Sequence, residues 1–151
     1  MALRPRHASS NARAAVAGAA LVGFVGIALS RTLRPERRVE LAAIELAFIA
    51  GCYPAMALSA DDPRARATEL AVGAGFVGCA FAGLALRSQG LLAGGLVAHG
   101  AWDFAHHVGV RGSDAPNWYP LFCLVADVLL AQPLLRTPAT AATSHVNEGL
   151  H

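Results

Sequence analysis

Five apolar stretches, residues 14–30, 41–60, 70–86, 90–110 and 118–135, limit what this chain can fold into. Each has about the 17 to 25 residues that a helix needs to cross roughly 30 Å of hydrocarbon. Composition agrees: 55% of residues are hydrophobic, only 15% are charged, and mean hydropathy is +0.46. An ordinary soluble domain carries about 25% charged residues. A soluble helical bundle would also show charged outer stripes. Here the first stretch has no charge, and the third has none after Glu69.

The sequence therefore predicts an all-α, polytopic membrane helix bundle with five transmembrane helices in one domain, residues 14–136. Residues 1–13 and 137–151 lack a periodic apolar pattern and read as flexible tails. Residues 1–30 also fit a signal peptide, and its cleavage would leave four helices. The apolar core of that segment is longer than a usual signal and is followed by more membrane, which favours an uncleaved first helix.

All 12 basic residues are arginines, and the net charge of +2 is too small to suggest a nucleic-acid partner. The arginines crowd the ends of the apolar stretches. For five crossings each side of the membrane receives six, so the positive-inside count assigns no orientation. Cys52, Cys79 and Cys123 fall mid-segment without paired spacing, as expected of small packing residues. Pairs such as Gly90 and Gly94, or Ala19 and Gly23, suit close helix packing. Pro54 is expected to bend the second helix near residues 50–52. Asn117 and Pro120 are expected to start the last helix.

Against this background the segment AHGAWDFAHH, residues 98–107, stands out. At about 100° per residue, His99, Asp103, His106 and His107 share one wall roughly 100° wide. Ionisable groups inside a membrane are costly and need partners. Two other helices offer acids: Glu45 in the second, on a face with Ile49, Cys52, Tyr53 and Met56, and Asp127 in the last, one turn beyond Cys123 and two beyond Tyr119. The expected arrangement is one cavity in which Glu45, Asp127 and the wall satisfy each other directly, through water or through a cation.

Imidazole and carboxylate ligands suit zinc first, with iron and manganese behind, and a catalytic zinc keeps three protein ligands. Candidate ligands are His99, Asp103, His107 and Asp127. His99 with Asp103, or Asp103 with His107, would be completed by Asp127 or Glu45. Glu45 and His106 then remain as candidate bases or as groups that orient a ligand. His106 and His107 also suit a solvated helix end, Glu45 and Glu69 an interfacial position, and His99 with Asp103 a purely structural pair.

HGAWDFAHH followed by NWYPLFCLVAD, with the acidic second helix running into GCYPAMAL, resembles the paired signature of a family of small bacterial integral membrane proteins, domain of unknown function 6010. The resemblance covers residues 40–135. It implies a multi-helix protein of the bacterial cell membrane with no established activity. It also implies that Glu45, Tyr53, His99, Trp102, Asp103, His106, His107, Trp118, Tyr119, Pro120, Cys123 and Asp127 are signature positions. His99-x-x-x-Asp103 is similar to one motif of the glutamic intramembrane proteases that process prenylated proteins, but their paired-glutamate motif is absent.

Three functions follow as expectations. A metal-dependent hydrolase would act on a lipid or another membrane-embedded substrate. A small transporter would use the same groups to carry protons or a cation. A homo-oligomeric scaffold would use the polar wall as a helix contact. In each case the lipid bilayer is the expected partner.

Overall fold

The computed structural model describes residues 5–59, 61–109 and 115–136. Among them the chain is all-helical. Its elements are α1 (Pro5–Thr32), α2 (Pro35–Ala50), α3 (Cys52–Ala57), α4 (Pro63–Ala85), α5 (Gln89–His107) and α6 (Tyr119–Leu135). Helices α2 and α3 run as one broken rod, so five rods stand where five were expected.

Three rods are long and apolar enough to cross a membrane: Ala12–Thr32, Glu36–Ala57 and Pro63–Ala85. Helix α6 is apolar but shorter, at 17 residues. Helix α5 has 19 residues, but it carries the polar wall and is not among the three. The exterior is apolar: Phe24, Phe48, Phe81 and Phe104 are all more than half exposed. Glu69, His99, Asp103 and Asp127 lie inside. That inversion of a soluble protein's pattern is compatible with lipid as the solvent.

Prolines and short polar caps set the helix starts more than hydropathy does. Asp62 caps α4 by accepting from the Arg64 amide at 2.9 Å, with Pro63 in the first turn. Pro35 likewise opens α2. Both helices thus begin about two turns before the apolar stretches do. Helix α1 begins at Pro5, so helical backbone occupies most of the segment expected to be an N-terminal tail. The expected tail at 137–151 lies outside the described residues. Asn117 does not cap α6: the N-cap position is Trp118, and no side chain bonds there.

The rod of α2 and α3 breaks at Gly51, three residues before Pro54. Proline has no amide to give the Ala50 carbonyl. Helix α4 closes over that carbonyl: a Cβ at Gly73 would collide with the Pro54 ring and sit 2.9 Å from the Ala50 oxygen. The break turns α3 inward and buries Tyr53.

A tight turn joins α4 to α5. Arg87 adopts φ 50°, and the Ser88 amide donates back to the Gly83 carbonyl at 2.9 Å, as in a left-handed helix C-cap. Ser88 then caps α5 by accepting from the Leu91 amide. The core of Val39, Leu46, Leu92, Leu96 and Leu130 packs between α2, α4, α5 and α6. Helix α1 lies along α6, where Gly23 and Gly26 meet Leu129 and Leu130.

A buried histidine and carboxylate centre

Helical periodicity selects the inward side chains. In α5 the buried stripe Leu92, Leu96, His99 and Asp103 follows i, i+4, i+7, i+11 spacing. In α6, Pro120, Cys123, Asp127, Leu130 and Leu134 form the matching stripe. The two meet at Gly100, which faces Asp127: a Cβ there would lie in van der Waals contact, 3.4 Å from the Asp127 Cβ. His99 Nδ1 then reaches Asp127 Oδ2 at 2.7 Å and Asp103 Oδ2 at 3.3 Å. An ionised carboxylate only accepts, so His99 donates to Asp127 in this arrangement.

His99, Asp103 and Asp127 each offer a ligand atom, and these atoms lie within 4.8 Å of one another. Asp103 and Asp127 are 0% exposed and His99 is 1% exposed. The set is under-satisfied. Asp103 Oδ1 and Asp127 Oδ1 are buried without a hydrogen-bond partner among the described residues, and Asp103 Oδ2 has only the 3.3 Å approach of His99 Nδ1. The Tyr53 hydroxyl borders Asp103. Buried polar atoms are normally paired, and a cation or a proton at this point would satisfy the free lone pairs. One imidazole and two carboxylates match the donors that zinc, iron and manganese accept.

A second polar group lies one aromatic ring away. His106 Nε2 meets Glu69 Oε1 at 2.7 Å, and Trp102 Nε1 donates to Glu69 Oε2 at 3.4 Å. His106 Nδ1 donates to the Trp102 carbonyl at 3.0 Å, since a carbonyl can only accept. The bond between Nε2 and Glu69 therefore holds one shared proton. Tyr53 connects the two groups: its ring stacks on His106 at 4.3 Å between centroids and lies 6.3 Å from His99. Phe76 closes the other side, edge-on to His99 at 5.0 Å.

Of the candidate ligands, His99, Asp103 and Asp127 come together. His107 is exposed at the end of α5 and lies outside the group. His106 faces Glu69 instead. Glu45 points toward α1, where a Cβ at Gly26 would sit 3.7 Å from its Oε1. It has no partner among the described residues. Glu69, for which an interfacial position is one of the two readings the sequence leaves open, is 1% exposed. Its position was readable: Glu69, Gly73, Phe76, Ala80 and Gly83 form one helical stripe, with the glycines marking the side of closest packing. The three cysteines are free, and Cys52 and Cys79 spend their thiols on backbone carbonyls.

Glu69→Leu leaves the Trp102 and His106 ring nitrogens unpaired. It is expected to lower stability by about 1–3 kcal/mol for each stranded group. Glu69→Gln should cost much less, because the amide can donate to Nε2 of a neutral His106 and still accept from Trp102. Denaturation of both variants in detergent micelles checks the difference.

The molecule is thus a helical bundle, apolar outside, with a histidine and carboxylate centre sealed between its helices. It belongs to the family of unknown function DUF6010, whose family model matches residues 14–139. The match takes in nearly all the membrane-length part of α1, so the family extends beyond residues 40–135. No curated protein and no solved structure matches the chain.

Proposed function

We propose that this protein is a multi-pass membrane protein that binds a divalent metal ion, zinc foremost, through His99, Asp103 and Asp127. We further propose that it hydrolyses a lipid or another membrane-embedded substrate. One observation carries the metal reading: three buried ligand groups from two helices converge, while Oδ1 of each carboxylate has no hydrogen-bond partner among the described residues. Three protein ligands are the number kept by catalytic rather than closed structural zinc sites. When bound, the ion would supply Lewis acidity at its remaining position.

The chain's own groups supply the rest. His106, held by Glu69 and by the Trp102 carbonyl, can take up and return a proton. The Tyr53 hydroxyl beside Asp103 can donate a hydrogen bond to a developing negative charge. Glu45, on the side of α2 that faces α1, has no part in it. Phe76 and Tyr53 exclude water from the imidazole.

Elemental analysis of purified protein tests the metal: about one equivalent of zinc is expected, lost in Asp103→Asn. Hydrolysis of lipid esters by the loaded protein, abolished by chelation and by His106→Ala, tests the activity. The absence of metal from every preparation contradicts the hydrolase. One observation favours a second reading, proton or cation transport: both Asp side chains are wholly sealed, as a carrier's midplane site is in its occluded state. In that case metal-free protein moves protons or cations into liposomes, and Asp127→Asn stops the flux.

A further inference from the structure

At the opposite end of the bundle a different site takes shape. The C-terminal ends of α1 and α6 and the first turn of α2 enclose a cleft of about 310 Å³. Its lining includes Ser30, Arg31, Arg38, Gln132 and Arg136. Three arginines, from α1, from α2 and from the position just after α6, thus line one cavity, and none of its lining residues is acidic. No ion pair reaches Arg31, Arg38 or Arg136 among the described residues; the nearby carboxylate of Glu40 pairs with Arg37 and Arg87 instead.

Three like charges lining one cleft repel one another unless an anion lies between them. Helix-end electrostatics alone account for Arg31 and Arg136, which follow the negative ends of two helices. They also reach Arg38 in part, through the Leu33 carbonyl at the end of α1. That residue belongs to the opening turn of α2, the end that disfavours a cation. Its Nε donates to the Leu33 carbonyl at 3.1 Å, which fixes the stem and leaves the two terminal nitrogens for a ligand. Ser30 spends its proton on the Ile27 carbonyl at 2.9 Å, and Gln132 adds an amide donor.

We infer that this cleft binds a phosphate group. Arginine forks match phosphate oxygens in pairs, and basic pockets between helices at a membrane surface hold anionic lipid head groups. The cleft sits at the end of membrane-length rods, where a phosphodiester head group would lie with its acyl chains along α1 and α6. A free phosphate ester would present the same oxygens. The inference is independent of whether the His99 centre holds a metal.

The test is a binding titration of the purified full-length chain in neutral detergent micelles with phosphatidylglycerol, phosphatidylcholine and inorganic phosphate. Phosphatidylglycerol is expected to bind at least roughly tenfold tighter than phosphatidylcholine. Arg38→Gln and Arg136→Gln should each remove roughly that tenfold advantage. Arg31→Gln, like Arg136→Gln at an exposed side chain, should leave folding intact and weaken binding in the same direction. Arg37→Gln, at the same end but outside the cleft, should leave it unchanged. If inorganic phosphate competes and binds as tightly as the lipid, the ligand is a soluble phosphate ester and the site stands. Equal binding of the two lipids with no binding of inorganic phosphate overturns the inference. So does an equal loss in Arg37→Gln, which would mean diffuse surface charge.

Discussion

Asp127→Ala is expected to weaken zinc binding by more than about 100-fold, since even partners that only orient a ligand cost about 10- to 100-fold. The same change should destabilise the metal-free protein. It removes the acceptor at 2.7 Å from His99 Nδ1 and leaves Asp103, at 3.3 Å, as the remaining carboxylate beside a buried imidazole. Breaking a buried pair by removing one partner costs roughly 3–5 kcal/mol. Asp127→Asn separates the two effects. Its amide oxygen still accepts from His99, so much of the fold's stability returns, but the lost charge keeps the zinc affinity low. Zinc titration and chemical denaturation, run on wild type and both variants, check each part.

Gly73→Leu is the second change expected to have a large effect, and it acts through backbone. The added Cβ alone would collide with the Pro54 ring and approach the Ala50 carbonyl to 2.9 Å. Neither can swing away as a flexible side chain would. Overpacking a tight interior typically costs about 1–3 kcal/mol, and against rigid backbone the upper end or more is expected. The cost falls on the site as well. Moving α4 away from the break at Gly51 moves α3, and with it Tyr53 and its stack on His106. Gly75→Ala on the same helix supplies the contrast. Nothing lies within 4 Å of its Cβ, so it should be neutral or gain up to about 1 kcal/mol from helix propensity. Thermal unfolding of the two variants in one detergent decides the matter.

Hydropathy made the number of rods legible, because a membrane-length apolar stretch admits few alternatives. The wall of α5 was legible because its polar residues share one face, and the same residues lower its hydropathy enough to put α5 outside the apolar spans. Helix starts were less legible, because Arg34 to Glu40 and Pro63 to Glu69 look like loops to a hydropathy window. The backbone signals were nevertheless present, in Pro35 and in Asp62 followed by Pro63.

Partner choice between helices was the part hidden from the chain. Glu45 and Asp127 each sat on a plausible inward face, and only packing decides between them. Gly100 of α5 faces Asp127 on α6, whereas Glu45 lies beside Gly26 of α1. The division of the polar wall into two groups was hidden too. Periodicity places His99 and His106 on one stripe, but it does not show that α4 brings Glu69 to His106 while α6 brings Asp127 to His99.

X-ray absorption at the zinc edge of the loaded protein tests most directly whether these helices assemble a metal centre. Zinc in a shell of nitrogen and oxygen at about 2.0–2.2 Å is expected, with an imidazole signature that disappears in His99→Ala. Cys123 lies one turn from Asp127 in the same stripe. A sulfur neighbour at about 2.3 Å, or an unchanged imidazole signature in His99→Ala, would contradict the centre described here.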